Sequence, residues 1–324
     1  MKADSPAVAV AVATWRRPLR LRWLLNALGE QTLELGRLEV LVAHDPACAA
    51  TRKVLETHPL RRAGVLRTTE FPEHSVFPGA GRNAAWRAAR APLVLFTDDD
   101  CRPDARWAEL MLTASRVSPE AMLQGATRPD PDETATLLGA SWVRTMRVSP
   151  PTIWAPTCNM AYPRALLEHL DGFNEGLRVG EDTDLAQRAV GLGAPLVPVS
   201  EAIVHHAVQE LWLPVMLADQ AQWADLAYLA KHHPAVRQAL WAGLWWKREH
   251  AALMAASVGA LAARLDPRAL LLTVPWLALS ARHRGYGPRG LLRSGAELPG
   301  RAAIDTAEIL AMVRGSLRHR TIVL

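Results

Sequence analysis

Three consecutive carboxylates, Asp98, Asp99 and Asp100, are the residues of this sequence best suited to chemistry. They directly follow the apolar run at residues 93–97, which predicts a buried strand. Open α/β sheets bind ligands at the carboxyl ends of their strands. Adjacent acids repel one another, and a divalent cation with oxygen ligands relieves that repulsion. Alternate residues of an extended segment project alike, so Asp98 and Asp100 are predicted to share one ion or ligand; a solvated acidic turn is the alternative.

A second acidic pair, Glu181 and Asp182, follows Gly180 and precedes a helical pattern that ends near Gly191 or Gly193. Acids are common at helix N-termini because the helix dipole favours them, so simple capping is one explanation. Two adjacent acids carry more charge than a cap needs. A carboxylate held there could serve as a general base if it reaches a substrate hydroxyl.

Two weaker signals come from basic and imidazole side chains. Arg82 and Asn83 open a predicted helix, where they could bind a phosphate or the edge of a base. His205 and His206 follow a strand-like run, and alternation along the strand allows only one of them to face a metal site. For each ring alone, an ordinary surface or core histidine is the competing interpretation.

The first half of the chain supplies the elements that must position these residues. Apolar runs at 7–14, 38–43 and 93–97 read as strands buried on both faces. Helical patterns beginning at Pro18 and Gly81 lie between them. This alternation predicts a mostly parallel α/β sheet with helices on both faces.

The second half changes character. Residues 211–280 lack strand-like alternation and contain six of the chain's 12 tryptophans. The apolar runs at 251–263 and 269–280 are too short for the roughly 20 residues that cross a bilayer, which leaves core helices or an element lying on a membrane surface. A further helix near the C-terminus is suggested by the capping-box-like spacing of Asp305 and Glu308.

Composition narrows the class of protein. Half of the 324 residues are hydrophobic and 21% are charged, which favours a large core over disorder. From residue 281 onwards, eight arginines against three acids account for the whole net charge of +5, so a nucleic-acid-binding body is disfavoured. Three scattered cysteines and an N-terminus without signal-peptide features favour a cytoplasmic protein.

The basic C-terminal stretch suggests a second partner, an anionic membrane surface. Tryptophan favours the interfacial zone of a bilayer, and arginine is attracted to anionic lipid. The tryptophans just before the basic stretch are Trp241, Trp245, Trp246 and Trp276. The alternative, nearly as well supported, is that these rings pack inside a helical subdomain.

The ordered set of motifs resembles family 2 glycosyltransferases of the GT-A fold. The resemblance covers roughly residues 7–206. The segments that carry it are residues 12–18 (VATWRRP), 39–45 (EVLVAHD), 81–83 (GRN), 96–104 (FTDDDCRPD), 158–162 (CNMAY), 172–175 (GFNE) and 180–185 (GEDTDL).

The resemblance implies a catalytic domain at 1–210, which binds a nucleotide-diphosphate sugar, and a helical region at 211–324. It implies inverting, metal-assisted transfer to a glycan or lipid-linked hydroxyl in the making of cell-envelope polysaccharide. One departure is His44, which stands where such families usually have the aspartate that reads the base, with Asp45 following. The implied roles are Asp182, then Glu181, as general base; Thr14, Asp45, Arg82, Asp98, Asp99 and Asn159 for the donor; and Asp98, Asp100 and His205 for Mg²⁺ or Mn²⁺.

Two other classes compete with this hypothesis. A nucleotidyltransferase also places acids after strands of a nucleotide-binding sheet, but the lysine-containing phosphate loop common in such enzymes is missing, since no lysine lies between Lys2 and Lys53. An inactive scaffold that docks on membranes through the C-terminal region is the non-enzyme alternative. The presence of both acidic clusters disfavours it.

Overall fold

The computed structural model describes residues 6–71, 78–281 and 287–324. The chain forms two compact units, Met1–Gln209 and Glu210–Leu324. The strands of the first unit are β1 (Val8–Thr14), β2 (Leu38–His44), β3 (Leu66–Glu70), β4 (Leu93–Phe96), β5 (Cys101–Pro103), β6 (Met122–Pro129), β7 (Val143–Arg144), β8 (Met160–Pro163), β9 (Leu196–His206) and β10 (Gln209–Glu210), the last ending in the second unit. Its α-helices are α1 (Pro18–Gly29), α2 (Ala49–Thr57), α3 (Pro59–Arg62), α4 (Pro78–Arg87), α5 (Trp107–Val117), α6 (Thr134–Gly139), α7 (Arg164–His169) and α8 (Glu181–Gly191).

Eight strands form one mixed sheet in the order β3-β2-β1-β4-β8-β6-β9-β5, and β7 pairs separately with β10. The pairs β1/β2, β2/β3, β1/β4 and β6/β9 are parallel, whereas β8 and β5 run antiparallel to their neighbours. The predicted α/β class and mostly parallel sheet are therefore confirmed. The parallel pairing brings the carboxyl ends of β1 and β4 to the same edge.

Helices cover both faces of this sheet, as the apolar runs predicted. One core cluster joins alternate residues of β1, such as Val10, to Leu21 and Leu25 of α1. The other joins the intervening residues, such as Ala11, to Trp86 of α4 and Leu185 of α8. Because successive strand residues point to opposite faces, one uninterrupted apolar run supplies both cores.

The second unit is helical among the residues the structure describes. Its α-helices are α9 (Leu213–Asp219), α10 (Leu226–His232), α11 (Pro234–Ala239), α12 (Arg248–Ala262), α13 (Val274–Ala281) and α14 (Pro288–His319), with 3₁₀ turns at Gln220–Asp225 and Pro267–Thr273. The first apolar run forms α12, and the second is divided between a 3₁₀ turn and α13. None of the helices among the described residues has the length and apolarity to span a bilayer.

The structure corrects the expected helix start at Asp305, which lies in the middle of α14, a helix that begins at Pro288. The Asp305 carboxylate is buried and accepts a hydrogen bond from the indole of Trp276 at 2.9 Å. Glu308, one turn on, pairs with Lys247 at 2.6 Å and with His250 at 2.9 Å. The spacing that resembled a capping box instead places two acids on the buried face of a long helix.

Candidate active site

The carboxylates that follow β4 form the floor of a cavity at the edge of the sheet. The cavity has a volume of about 300 Å³. Its walls come from the ends of β1 and β9, the start of α4, and the segment around β7. Its lining residues are Ala13, Trp15, Arg17, Phe71, Pro78, Arg82, Asp98, Asp99, Asp100, Arg144, Thr145, Met146 and His206.

Thr14 and Arg17, from the end of β1, hold the acidic segment in place. The Thr14 hydroxyl donates to Asp99 at 2.7 Å. The Arg17 guanidinium donates to Asp99 at 3.0 Å and to Asp100 at 2.9 Å. Burial, with repulsion from the neighbouring acids, raises the pKa of Asp99 to about 6 despite the attraction of Arg17. Asp99 therefore anchors the segment, while Asp98 and Asp100 flank it.

Arg82 joins the strand-end acids to the second acidic pair. Its guanidinium donates to Asp98 at 2.7 Å and also contacts the carboxylate of Glu181. Burial alone would raise the pKa of Asp98, but the attraction of Arg82 and its hydrogen bond leave that pKa below its ordinary value. One buried arginine thus links the predicted metal-binding and catalytic segments.

The Gly-Arg-Asn motif positions this arginine by close packing. A Cβ atom at Gly81 would lie 2.1 Å from the ring of Phe71, so only glycine allows the ring to rest on the start of α4. The Asn83 side chain accepts hydrogen bonds from the Trp86 indole at 2.8 Å and from the Phe173 amide at 2.9 Å. Arg82 therefore projects from a rigid turn, and Asn83 is structural.

Glu181 and Asp182 occupy the first turn of α8, after Gly180 in a left-handed conformation with φ 78°. The Glu181 carboxylate is paired with Arg82. Among the described contacts, Asp182 accepts hydrogen bonds only from the backbone amides of Thr183 at 2.7 Å and Thr157 at 3.4 Å and from the Thr183 hydroxyl at 3.4 Å. Burial raises the pKa of Asp182, partly offset by the attraction of Arg82. Neither acid lines the cavity, but Asp182 is the less buried of the two and makes no ion pair with Arg82, so it is the better placed to accept a proton.

The acids also form part of a metal-competent cluster. Ligand atoms of Asp98, Asp100, Cys101 and His206 all lie within 4.8 Å of one another. His206 Nδ1 lies 2.9 Å from the Ala207 carbonyl oxygen, a contact that favours a proton on Nδ1 and leaves Nε2, 3.7 Å from Asp100, to bind an ion. Cys101 offers a soft thiol, which Mg²⁺ and Mn²⁺ do not favour, so it is the poorest ligand of the four. Two carboxylates and an imidazole suit Mg²⁺ or Mn²⁺.

The structure corrects the choice of His205 as the metal-binding histidine. Antiparallel pairing of β5 with β9 sets His206 opposite Cys101 and His205 opposite Arg102. His205 therefore lies away from Asp98 and Asp100, and its Nε2 atom contacts Asp104 at 2.9 Å. The histidine that joins the acidic cluster is His206.

Asn159, predicted to bind the donor, is buried at 1% exposure and does not line the cavity. Its amide nitrogen donates to the carbonyls of Ala126 and Ala202, both at 2.8 Å, and its oxygen accepts from the Trp107 indole at 2.8 Å. Both hydrogens of its amide group and its amide oxygen therefore form hydrogen bonds inside the fold. The structure therefore makes Asn159 a brace behind the cavity wall.

Asp45, also predicted to bind the donor, directly follows β2 but does not line the cavity. Its carboxylate accepts hydrogen bonds from Arg16 at 2.8 Å and from the amide of Ala47 at 2.9 Å. These contacts hold the pKa of Asp45 below its ordinary value. Its neighbour His44 is buried, with Nδ1 3.2 Å from the Asp45 carbonyl oxygen.

Four residues of the site were missed by sequence reasoning. Arg17 was detectable, because a cation just after β1 must lie at the same sheet edge as the acids after β4. Gln209, which donates to Asp100 at 2.8 Å, carries no sequence signal. Trp15 and Phe71, with ring centroids 5.6 Å apart, form an aromatic wall that only the tertiary fold assembles.

The family model described as "Glycosyl transferase family 2" matches residues 9–170, half of the chain. The chain belongs to this family. It is a glycosyltransferase, as the ordered motifs predicted. The matched residues contain Thr14, Arg82 and all three strand-end acids.

Similar proteins agree with this membership. The chain is 25% identical over 242 residues to the succinoglycan biosynthesis protein ExoM of Rhizobium meliloti (strain 1021), covering 71% of this chain and 73% of the relative. Among solved structures it resembles the mannosyltransferase PcManGT from Pyrobaculum calidifontis in complex with GDP-Man and Mn²⁺, at TM-score 0.59 and 21% identity, over 96% of this chain and 87% of that one. S. aureus TarS 1-349 in complex with UDP has TM-score 0.51 and 19% identity, over 97% and 92% of the two chains. These likenesses confirm the GT-A fold.

Proposed function

We propose that this glycosyltransferase moves a sugar from a nucleotide-diphosphate donor to an acceptor hydroxyl, with inversion at the anomeric carbon and with a divalent metal. The unit Met1–Gln209 is assigned both donor binding and catalysis. The observation that carries the proposal is the Arg82 bridge, which joins Asp98 of the metal-competent cluster to the segment that holds Asp182. Donor and base chemistry are thereby brought to one sheet edge.

The donor diphosphate is proposed to lie over Asp98 and Asp100, with a metal held by these two acids and His206. Bound there, the ion supplies positive charge that stabilises the departing nucleoside diphosphate. Arg17, whose side chain is 39% exposed at the cavity, can turn from the acids towards a phosphate. Trp15 and Phe71 offer flat apolar surfaces suited to the nucleobase.

Asp182 is proposed to take the proton from the acceptor hydroxyl as that oxygen attacks the anomeric carbon. The bond to the diphosphate breaks in the same displacement, so no covalent sugar–enzyme intermediate forms. Glu181 does not act as the base, because its carboxylate is bound to Arg82. Its task is to fix Arg82, and through Arg82 the position of Asp98.

The acceptor is proposed to be a growing glycan, soluble or lipid-linked, in cell-envelope polysaccharide synthesis at the cytoplasmic face of the membrane. The similarity to a protein named for succinoglycan biosynthesis supports a polysaccharide product. The sugar nucleotides named with the structural relatives, GDP-Man and UDP-GlcNAc, give the starting set for a donor screen.

Product analysis tests the proposal. Purified protein is incubated with Mn²⁺ and a panel of UDP- and GDP-sugars, with and without EDTA. We expect slow, EDTA-sensitive release of nucleoside diphosphate, accelerated by the correct acceptor glycan. Release of sugar 1-phosphate, from attack at the α-phosphate of the nucleotide sugar, would instead support a nucleotidyltransferase. Unchanged release of nucleoside diphosphate in excess EDTA would show that the reaction does not need a divalent metal.

A further inference from the structure

An exposed apolar hairpin lies in the second unit. It consists of the C-terminal half of α12, the 3₁₀ turn Pro267–Thr273 and the start of α13, and we call it the leucine hairpin. Its most exposed side chains are Leu265 at 92%, Leu271 at 71% and Leu261 at 69%. The other exposed apolar residues of this hairpin are Met254, Val258, Leu270, Leu272, Val274 and Leu277. So concentrated an apolar surface is characteristic of a binding surface.

Three of the exposed residues share one face of α12. Met254, Val258 and Leu261 are spaced by four and three residues, which aligns them along a single stripe, and Leu265 follows the end of the helix. The opposite side of α12 packs inward: Gly259 and Ala256 are buried. This part of α12 is therefore apolar on both sides, and nothing described in the structure covers the exposed side.

The hairpin is a packed element and not a loose loop. A Cβ atom at Gly259 would lie 2.5 Å from the Ala269 carbonyl oxygen and 2.8 Å from the Leu272 Cβ atom, so α12 and the 3₁₀ turn touch through a glycine. The Asp266 carboxylate caps the turn by accepting the Arg268 amide at 2.9 Å. The leucines at the tip are therefore displayed by a fixed backbone.

The charges at the tip are positive and are placed to face outward. Arg264 and Arg268 flank Leu265, are exposed, and have no acidic partner among the described residues. The only acid between residues 251 and 281 is Asp266, which is occupied in capping the turn. Exposed leucines beside arginines complement a bilayer whose apolar interior lies beneath anionic headgroups.

We propose that the leucine hairpin is a membrane-docking element that inserts Leu261, Leu265 and Leu271 into the interfacial zone of an anionic bilayer, with Arg264 and Arg268 at the phosphates. A protein partner is disfavoured by composition, because protein interfaces are enriched in aromatic anchors, and the one tryptophan of the hairpin, Trp276, is 7% exposed and bound to Asp305. This proposal is independent of the transferase chemistry.

The inference narrows the predicted docking surface, which comprised the tryptophans, the two apolar runs and the basic tail, to the apolar runs. Trp246 packs on Trp223, with ring centroids 5.2 Å apart, and its amide donates to the Leu324 carbonyl. Arg318, from the tail, lies 3.8 Å from Asp225. Trp246 and Arg318 therefore make contacts within the helical unit. Trp241 stays 43% exposed, but the exposed apolar side chains of the leucine hairpin itself include no aromatic ring.

Vesicle flotation of the full chain tests the proposal. We expect binding to vesicles of equal parts phosphatidylcholine and phosphatidylglycerol, and weaker binding to phosphatidylcholine alone. The double variant Leu265→Ser/Leu271→Ser should lose roughly a hundredfold in partitioning, because two large apolar side chains no longer leave water. Arg264→Gln and Arg268→Gln should each lose about fivefold, and only on anionic vesicles.

A matched variant controls for general loss of surface hydrophobicity. Leu138→Ser/Leu192→Ser removes two leucines that are 69% and 54% exposed in the first unit, and it should bind vesicles like the wild type. Circular dichroism melting confirms that each variant is folded. Failure of the folded wild type to float at low salt overturns the proposal. A dimer that forms without lipid as the protein concentration rises, and that Leu265→Ser/Leu271→Ser abolishes, also overturns it. Such a dimer would identify a second copy of the chain as the partner that covers the hairpin.

Discussion

Removal of Arg82 provides the sharpest test of how the site is held together. The variant Arg82→Met keeps most of the side chain's bulk and removes its charge and its hydrogen bonds. Arg82 is 8% exposed and Glu181 4%, whereas the Asp98 side chain is 28% exposed and can recruit water. Most of the cost therefore falls on Glu181, which is left as a buried carboxylate without a counter-charge. Breaking such a buried pair costs about 3–5 kcal/mol of unfolding free energy.

The loss should depend on pH in a defined direction. Burial raises the pKa of Glu181 in the folded protein above its unfolded value, and repulsion by Asp182 adds to the rise. Without Arg82 that pKa rises further, so protonation of Glu181 favours the folded variant. The destabilisation of Arg82→Met relative to the wild type should therefore be greatest above the folded pKa of Glu181 in the variant. It should shrink, by at most about 1.4 kcal/mol per pH unit, until pH reaches the wild-type pKa of about 7, below which Glu181 is protonated in both folded proteins.

Urea unfolding monitored by fluorescence at pH 8 and at pH 5.5 measures both effects. The second-site change Glu181→Gln in the Arg82→Met background removes the stranded charge and should recover at least half of the loss. Arg67→Met is the matched control: Glu39, its partner at 3.1 Å, keeps hydrogen bonds from the amides of Arg90 and Ala91, so a loss of about 1 kcal/mol or less is expected. If Arg82→Met costs no more than this control, or its cost is the same at both pH values, the reasoning is wrong.

Three further changes separate chemistry from architecture. Asp182→Asn should lower kcat by roughly 10²–10⁴ with donor affinity nearly unchanged, and should abolish the fall in rate that the wild type shows as pH drops through the raised pKa of Asp182. His206→Ala should raise the Mn²⁺ concentration for half-maximal activity by roughly tenfold or more, while His205→Ala leaves it unchanged; the reverse result would restore His205 as the ligand. Asn159→Ala should destabilise the fold by about 3 kcal/mol in urea unfolding, because it strands three buried hydrogen-bonding partners; a stable variant with weakened donor binding would contradict its role as a brace.

The fold was predictable from sequence because its signals are redundant. The run that forms β1 is apolar at every residue except the last, Thr14, and such runs occur in parallel strands that are buried on both faces. Pro18 at the start of α1 and apolar residues repeating within it independently predicted the helix that follows. By contrast, the spacing of Asp305 and Glu308 was a single local signal, and burial of both acids in α14 overrode it.

The strand-end acids were predictable for the same reason, but the orientation of His205 and His206 was not. Pairing of β6 with β9 is irregular between Gly125 and Ala126: Val199 pairs with the first, and Ile203 with the second. The extra residues of β9 reverse the alternation of buried and exposed positions. Val199 is buried before the irregularity, and His206 is buried after it. A strand with such a bulge cannot be assigned faces by counting along the sequence.

The cations found around the acids lead to a last prediction, that metal and donor bind with positive linkage. Arg17 bonds to the same Asp100 oxygen that Gln209 contacts, and its charge opposes an incoming cation at that carboxylate. A donor diphosphate offers Arg17 another anion. When Arg17 leaves Asp100 for the diphosphate, its charge no longer opposes a cation at that carboxylate. Mn²⁺ should therefore bind several-fold more tightly with UDP or GDP present, whichever nucleotide the enzyme accepts, and the nucleotide should gain the same factor from Mn²⁺. Titration calorimetry of wild type and Arg17→Gln measures the linkage, after allowance for Mn²⁺ bound by free nucleotide. In the variant, Mn²⁺ alone should bind more tightly and the linkage should shrink; an unchanged linkage would mean that Arg17 stays on the acids throughout.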